Sequence, residues 1–433
     1  MAFDIKIAVC ELPNNKMFTF ALFSKKCQQM SDYNHLLSRR VAALSESATL
    51  EMTRKSRELK EQGIDVITLS IGEPDFNTPD AVKNAGIQAI RDNKTHYPPV
   101  PGTNTLRQAI AQKLKRDNGL DYKPSQIIVS TGAKQSIMNA FFSLLNPGDE
   151  VIIPAPYWVS YPEMVKMAEG VPVYISSTVD TDFKISADQL ENAITEKTKA
   201  IIFSSPCNPS GSVYEREELL ALAKVLERNP QVFVISDEIY EYIRFEGQHV
   251  SIASLESISD RVILINGLSK GFAMTGWRLG FMAAHQDIAN ACNTIQGQYT
   301  SGTSSISQEA AVEAFNTDPL QSKEIKEMVA RFKQRGELLF HRLSAIPGII
   351  PNKPKGAFYL FPDISAYFGK SYGKYQITDS KALALYLLAE AHVALVSGDA
   401  FGCDQCIRFS FAASEEQIET ACSRIALALE KLS

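Results

Sequence analysis

Residues 262–280 read Val-Ile-Leu-Ile-Asn-Gly-Leu-Ser-Lys-Gly-Phe-Ala-Met-Thr-Gly-Trp-Arg-Leu-Gly, with one lysine shortly after an apolar run. The run 262–265 predicts a buried strand, which would deliver Lys270 to a sheet edge, where open α/β folds bind ligands. An amine that attacks a carbonyl needs partial desolvation and a cationic neighbour to lower its pKa. Arg278 follows at a spacing that supplies such a neighbour. Taken alone, the stretch is also compatible with an ordinary surface lysine.

Apolar runs alternate with longer amphipathic segments on the N-terminal side of this stretch. Seven strands are predicted, at residues 127–129, 151–153, 171–175, 200–203, 232–235, 262–265 and 280–283. The segments between them are long enough for crossover helices, at residues 134–145, 161–168, 187–193 and 215–228. This order favours an α/β fold in which helices cover both faces of a mostly parallel sheet.

The chain is predicted to have four parts. They are an N-terminal extension (1–29), a segment that comprises an N-terminal arm and part of the small domain (30–75), a large ligand-binding domain (76–317) and a small α+β domain (318–433). The extension is interpreted as non-essential, with the working protein starting near Met30, and its apolar run 17–23 is too short to span a bilayer. The small domain is predicted from a long charged helix at 321–343, three short strands at 356–361, 393–396 and 407–411, and a final helix at 415–432.

Charge and cysteine content narrow the class of protein. Forty-four basic and 49 acidic residues leave a net charge of −5, which argues against nucleic acid or an anionic membrane as partner. The seven cysteines are scattered along the chain and odd in number, which indicates reduced thiols and a cytoplasmic protein. Cys403-Asp-Gln-Cys406 has CxxC spacing, but without a second CxxC or a nearby histidine it is interpreted as incidental thiols, and no metal site is expected.

Polar side chains follow several of the predicted strands, at ends that the topology would gather in one crevice. Ser130, Thr131 and Gly132 open a helix whose free N–H groups favour a phosphate, although a plain helix cap has the same pattern. Asn208 stands in a rigid Pro-rich turn. Asp237 ends an apolar strand, where a carboxylate needs a cation such as a protonated ring nitrogen. A cap on a following helix is the alternative role for Asp237.

Three further residues suit the same crevice. Tyr240 lies three positions after Asp237, and Trp158 offers a flat surface for stacking on an aromatic ligand. Arg408 interrupts an apolar strand, a setting that suits bidentate recognition of a carboxylate. Core packing for the two aromatic residues and a salt bridge to a structural acid for Arg408 are the alternatives.

With these motifs in order, residues 31–433 resemble the class I aminotransferases of the pyridoxal-phosphate fold type I family. The resemblance implies pyridoxal 5'-phosphate as cofactor, amino acids and 2-oxo acids as substrates, ping-pong kinetics and a homodimer with shared active sites. It assigns cofactor roles to Lys270 (covalent attachment, then general base), Asp237 (ring nitrogen), Asn208 and Tyr240 (ring hydroxyl), Trp158 (stacking), Gly132, Ala133, Ser269 and Arg278 (phosphate), and Tyr97, which reaches the phosphate across the dimer interface.

The same resemblance indicates the substrate. Arg408 resembles the arginine that holds the α-carboxylate, in a pocket lined by Gly72, Trp158 and Asn208. Animal-type aspartate aminotransferases hold the distal carboxylate with an arginine of the partner subunit, but residues 298–306 contain none. The chain is similar instead to the bacterial aspartate aminotransferase subgroup, in which a lysine just after the phosphate loop, here Lys134, contacts that carboxylate.

L-Aspartate and 2-oxoglutarate are therefore the expected substrate pair. Members of the subgroup that also use prephenate carry a second lysine shortly before a Ser-Ala-Thr sequence, whereas Ser45 precedes Ser47-Ala-Thr49 here, which argues against prephenate. Aromatic, prephenate or methionine aminotransferases and carbon–sulfur lyases of the same fold remain alternatives. A regulator with an aminotransferase-like domain is disfavoured, because the 29 residues before Met30 are too few for a helix-turn-helix unit with its own core.

Overall fold

The computed structural model describes residues 37–433, so the predicted extension 1–29 and the start near Met30 lie outside the described residues. The chain divides into two compact units, Met1–Leu44 and Ser45–Ser433. The described part of the first unit contains the short helix α1 (Arg39–Ala42), which begins after Ser38, whose hydroxyl accepts the Val41 N–H at 3.3 Å.

The second unit contains the remaining helices and the strands. Its helices are α2 (Ala48–Glu61), α3 (Asp80–Arg91), α4 (Asn104–Asn118), α5 (Ala133–Leu144), α6 (Ser160–Met167), α7 (Ala187–Ala193), α8 (Arg216–Arg228), α9 (Gln286–Tyr299), α10 (Ser305–Asn316), α11 (Lys323–Ser344), α12 (Ser380–Glu390) and α13 (Glu415–Leu429). Several begin at a residue whose side chain accepts a backbone N–H of the first turn, namely Thr103, Ser186, Ser304, Ser322, Asp379 and Ser414. Such caps fix where a helix starts.

The strands are β1 (Ile67–Thr68), β2 (Ile127–Ser130), β3 (Glu150–Ala155), β4 (Val171–Ser176), β5 (Thr198–Ser204), β6 (Phe233–Asp237), β7 (Val262–Gly267), β8 (Gly280–Ala283), β9 (Tyr359–Leu360), β10 (Ser371–Tyr372), β11 (Tyr375–Gln376), β12 (Val393–Ala394), β13 (Val396–Ser397) and β14 (Ile407–Ser410). Seven of them form one sheet in the order β2-β8-β7-β6-β5-β3-β4. These are the seven predicted strands, and the predicted α/β fold is confirmed.

All neighbours in this sheet are parallel except β8, which is antiparallel to both β2 and β7. The connection from β7 to β8 contains no α-helix, and without a crossover helix the chain returns beside β7 in the opposite direction. Side chains of one strand alternate between two cores: Ile263 packs in one, and Leu264 packs in the other. The sheet is therefore buried on both faces, as its near-continuous apolar strands predict.

Smaller sheets lie in the C-terminal part of the chain, where one strand prediction needs correction. The predicted strand 393–396 is two strands, because β12 pairs with β1 while β13 pairs with β14, which is also joined to β9. Residues just after β1 connect to both groups of strands: the Leu69 N–H donates to the Ala394 carbonyl at 3.0 Å, the Leu69 carbonyl accepts the Ser410 N–H at 2.8 Å, and the Ser70 carbonyl accepts from Arg408.

The domain boundaries at residues 76 and 318 stay a prediction. Among residues 37–433, no helix combines the length and apolar character that crossing a bilayer requires. The carboxyl ends of β5, β6 and β7 lie side by side in the large sheet and end at Ser204, Asp237 and Gly267. That edge of the sheet is where the polar side chains meet.

Candidate active site

A cavity of about 330 Å³ opens at this edge of the large sheet. It brings together every predicted site residue except Gly132 and Tyr97. The predicted residues that line it are Gly72, Ala133, Lys134, Trp158, Asn208, Asp237, Tyr240, Ser269, Lys270, Arg278 and Arg408. Residues from distant parts of the chain therefore share one pocket, as a sheet-edge site requires.

Lys270 follows β7 and points its ammonium group to the Gly72 carbonyl oxygen, with Nζ···O 2.6 Å. Burial, with smaller contributions from Arg278 and Arg408, lowers the pKa of Lys270 to about 8, although Glu73 and Asp237 act in the opposite direction. A lysine with this pKa is partly neutral near physiological pH, which makes its nitrogen available as a nucleophile or base.

Asp237 is the last residue of β6 and is buried, with 5% of its surface exposed. Tyr161 donates its hydroxyl to Asp237 Oδ2 at 2.6 Å, and the Ile239 N–H donates to Oδ1 at 3.3 Å. Burial nevertheless raises the pKa of Asp237 to about 6. No helix follows directly, since the next helical turn is Ile252–Ser254, so the helix-cap alternative is wrong. The two hydrogen bonds do not fully offset the cost of burying this negative charge, so the carboxylate suits a cationic group of a ligand.

Arg408 lies in β14 and is 2% exposed. Its Nη1 donates to Asn208 Oδ1 at 3.0 Å and its Nη2 to the Ser70 carbonyl at 2.6 Å, while Nε has no hydrogen-bond partner. The guanidinium also faces the rings of Tyr359 and Phe401 at 4.7 and 4.9 Å. Within residues 37–433 no acidic side chain forms a salt bridge with it, so the structural salt bridge is wrong. A guanidinium that is held in place and has no acidic partner among these residues is suited to bind the carboxylate of a ligand.

Tyr359 is a cavity residue that the sequence did not reveal. Its hydroxyl lies 2.9 Å from the Tyr240 hydroxyl, and its ring lies against Arg408, so it contacts both predicted ligand-binding groups. A Cβ atom at Gly72 would stand 2.6 Å from the Tyr359 hydroxyl, which explains the glycine there. A tyrosine in the apolar run 356–361 was a usable signal, because a buried hydroxyl needs a partner.

Two of the predicted phosphate-binding residues, Gly132 and Ala133, lie where α5 begins, and Arg278 approaches them. Gly132 has φ +86°, and a Cβ atom there would approach Arg278 Nη2 to 2.6 Å, so the backbone and the guanidinium form a close cradle. Such a helix N-terminus with an arginine favours an anion. The Ser130 hydroxyl is engaged elsewhere, because it donates to Oε1 of buried Gln296 at 2.7 Å. Thr131 instead shares a hydrogen bond with Thr303 at 3.2 Å.

Lys134 and Trp158 form one wall of the cavity. The Lys134 ammonium lies 4.8 Å from the centre of the Trp158 ring, a cation–π contact. Burial lowers the pKa of Lys134, and Arg278 acts in the same direction. Tyr161 meets the Trp158 ring edge-on at 5.5 Å. Lys134 and Arg408 therefore both place a positively charged group in the cavity.

The start of α2 also reaches the cavity, through Ser47, Thr49 and Leu50. The Ser45 N–H donates to Glu163 Oε2 at 3.0 Å, which ties this segment to α6. Tyr97 is fully exposed and lies outside the cavity.

The donor set of the cavity fits pyridoxal phosphate. A desolvated lysine amine, a buried carboxylate and an arginine at a helix N-terminus match an aldehyde, a protonated ring nitrogen and a phosphate, respectively.

Comparison with known proteins agrees with this geometry. Residues 64–425 match the family model "Aminotransferase class I and II". The chain is 49% identical over 393 residues to an aspartate aminotransferase of Bacillus sp. (strain YM-2), covering 90% of this chain and 98% of the relative. It is 48% identical over 395 residues to a bifunctional aspartate aminotransferase and glutamate/aspartate-prephenate aminotransferase of Petunia hybrida, covering 91% of this chain and 82% of the relative.

A solved structure of an aspartate aminotransferase has the same fold as this chain. The aspartate aminotransferase from Rhizobium meliloti superposes with a TM-score of 0.88 at 40% identity, covering 92% of this chain and 99% of that structure. The chain therefore belongs to the class I and II aminotransferase family and is a pyridoxal-phosphate-dependent enzyme that transfers amino groups between amino acids and 2-oxo acids.

Proposed function

We propose that the enzyme transfers the amino group of L-aspartate to 2-oxoglutarate, giving oxaloacetate and L-glutamate in two half-reactions of a ping-pong cycle. The observation that carries this proposal is the pair of cations, Arg408 and Lys134, in the cavity that holds Lys270. Aspartate, glutamate and their oxo acids each carry two carboxylates, and one cation is available for each. Arg408 is proposed for the α-carboxylate and Lys134 for the distal one.

The cofactor's binding groups follow from the same cavity. When bound, pyridoxal phosphate supplies an electron-accepting ring that stabilises the charge left when the substrate α-carbon loses its proton. We assign Asp237 to the ring nitrogen and Asn208 and Tyr240 to the ring hydroxyl. Trp158 is assigned to the ring face and to the substrate, which Asn208 and Gly72 would also contact. The phosphate is assigned to Gly132, Ala133, Ser269 and Arg278.

Lys270 is proposed as the group that moves the proton from the substrate α-carbon. Its pKa of about 8 leaves part of the population neutral at physiological pH, so the amine can accept a proton and return it. Arg278 and Arg408 favour the neutral form, and the Gly72 carbonyl orients the nitrogen.

The test of the substrate is a panel of amino donors with Lys134→Ala. Loss of a charged hydrogen-bonding group should lower kcat/KM for aspartate by about 10- to 100-fold, with a much smaller effect on alanine, which has no distal carboxylate. Lys326→Ala, which removes an exposed lysine from α11, is the matched control and should behave as the unmodified enzyme. Unchanged aspartate turnover in Lys134→Ala, with aromatic donors equally good, would refute the assignment.

Prephenate is a second candidate substrate, favoured by the similarity to the bifunctional Petunia hybrida enzyme. Ser45, which argued against prephenate in the sequence, does not line the cavity, whereas Ser47, Thr49 and Leu50 do. Prephenate as amino acceptor, with aspartate or glutamate as donor, belongs in the same panel. A carbon–sulfur lyase would instead release ammonia and pyruvate from a sulfur amino acid without any oxo acid.

We further propose a homodimer in the cytoplasm, without nucleic-acid or membrane partners. Support for the dimer comes from exposed apolar side chains on α3, the helix that precedes Tyr97 in the chain: Ile87 and Ile90 lie three residues apart and are 47% and 56% exposed. A reducing compartment agrees with the free thiols of Cys207, Cys292, Cys403, Cys406 and Cys422.

A further inference from the structure

The CxxC sequence of the C-terminal domain forms a close pair of thiols. The sulfur atoms of Cys403 and Cys406 lie 3.4 Å apart, with Cys403 half-buried and Cys406 buried. The Cys406 N–H donates to the Cys403 carbonyl at 3.2 Å, which closes a turn between them. Such a turn holds its end Cα atoms within about 7 Å of each other, and this distance range overlaps the range of about 4.4–6.8 Å that most disulfides span.

The two thiols differ in reactivity. The two thiols share a hydrogen bond, which together with the Gln405 N–H lowers the pKa of Cys403. The same hydrogen bond and burial raise the pKa of Cys406. Burial also raises the pKa of Cys207, Cys292 and Cys422. Among the cysteines of residues 37–433, Cys403 is therefore the thiol that is both accessible and activated.

The loop that carries this pair packs directly on the active site. Phe401 lies two residues before Cys403 and faces the Arg408 guanidinium at 4.9 Å, and its carbonyl accepts the Tyr157 N–H at 3.1 Å. Arg408 itself lies two residues after Cys406. The loop is closely packed, since a Cβ atom at Gly398 would overlap the carbonyl oxygens of both cysteines. If the two sulfur atoms move closer together, Phe401 and Arg408 must therefore shift as well.

We propose that Cys403 and Cys406 are a thiol–disulfide exchange site for low-molecular-weight disulfides, and that closing their disulfide weakens carboxylate binding at Arg408. The Cys403 thiolate attacks one sulfur of the small disulfide RSSR, whose S–S bond breaks and releases RS⁻, leaving a mixed disulfide on Cys403. Cys406 then loses its proton and attacks the Cys403 sulfur, expelling the second RS⁻. In total, two protein thiols are oxidised and RSSR is reduced to two RSH.

Closing the bond brings the two sulfurs from 3.4 Å to about 2.05 Å. Cys406 is held beside Asp363 by a bridge between the two backbones, so most of this movement falls on Cys403 and the loop before it. Phe401 then shifts against the guanidinium that binds the substrate carboxylate. This consequence rests on the proposed function, whereas formation of the disulfide does not.

The experiment treats the holoenzyme with glutathione disulfide, alkylates the remaining thiols after denaturation, and maps them by mass spectrometry. We expect Cys403 and Cys406 to escape alkylation while Cys207, Cys292 and Cys422 are alkylated. In parallel, KM for aspartate should rise by about threefold or more, because one charge-assisted contact is weakened, and dithiothreitol should restore it.

Single variants separate the roles of the two thiols. Cys406→Ala should retain basal activity and stop at the mixed disulfide on Cys403, and Cys403→Ser should form neither a mixed disulfide at residue 403 nor a disulfide with Cys406. Cys422→Ser is the matched control and should respond as the unmodified enzyme. The proposal is overturned if Cys403 and Cys406 remain fully alkylated, if their disulfide forms without a change in KM, or if Cys403→Ser shows the same rise in KM. An enzyme that forms the disulfide but does not transaminate aspartate would refute the proposed function alone.

Discussion

Asp237 carries a buried charge that the protein alone stabilises poorly. The hydrogen bonds from Tyr161 and Ile239 favour the carboxylate, but burial outweighs them and raises the pKa from 3.8 to about 6. The folded state therefore binds this proton more tightly than the unfolded state. The protonated Asp237 therefore contributes stability that is fully present below pH 4 and is lost as the pH rises through 6. In the cofactor-free protein this loss lowers the free energy of unfolding by about 3 kcal/mol in total.

Asp237→Asn should consequently stabilise the cofactor-free protein at pH 8 by up to about 3 kcal/mol, and by about half of that at pH 5, because a neutral amide avoids the cost of a buried charge. Urea denaturation of both proteins at the two pH values measures this difference. The same variant should bind pyridoxal phosphate more weakly, since the partner of the ring nitrogen is lost. An equal gain in stability at both pH values would show that the charge of Asp237 is not the cause.

Individual residues differ in how far the sequence revealed them. Lys270, Asp237 and Arg408 were predictable because each is a charge within or just after an apolar run, where a charge needs a reason. The hydroxyl partners of Tyr161 and Tyr359 were not predictable, because they are 76 and 119 residues away in the chain. Only the packed sheet shows that these hydroxyls meet Asp237 and Tyr240.

At the scale of elements, the large sheet was predictable because each strand is a short apolar run bounded by polar turns. In the C-terminal part, the runs 356–361 and 407–411 contain β9 and β14 as predicted. The division of the run 393–396 was not predictable, because its two halves bond to different partners, β1 and β14. The antiparallel direction of β8 was also not specified, since an apolar run has the same pattern in either direction.

The contact between β8 and the start of α5 provides a test of the phosphate cradle. A Cβ atom at Gly280 would overlap the Ala133 backbone nitrogen, so Gly280→Ala should push the helix N-terminus away from Arg278. Gly276→Ala is the matched control in the same stretch, because nothing lies within 4 Å of its Cβ position. Titration of the cofactor-free proteins with pyridoxal phosphate should show affinity reduced about tenfold or more for Gly280→Ala and nearly unchanged for Gly276→Ala.

Thermal unfolding distinguishes a local effect from loss of the fold. Gly280→Ala should still unfold cooperatively, with its cofactor affinity reduced. If both alanine variants bound the cofactor as tightly as the unmodified protein, the close approach of Gly280 to Ala133 would not control the anion site.

At the scale of the whole molecule, Tyr97 is fully exposed and does not line the cavity of its own chain. The homodimer proposed above would account for this position if each subunit placed its Tyr97 at the site of the other. On that proposal, activity depends on association of two chains.

Mixing two inactive variants tests this sharing. Lys270→Ala should abolish turnover, and Tyr97→Ala should lower it strongly by weakening the phosphate contact. In a hybrid dimer, one site combines both defects, while the other combines an intact Lys270 with the intact Tyr97 of the partner subunit. Refolding an equal mixture should therefore restore about a quarter of the unmodified activity, because half of the dimers are hybrids with one intact site. Recovery no greater than the average of the two variants would mean that Tyr97 serves only its own subunit.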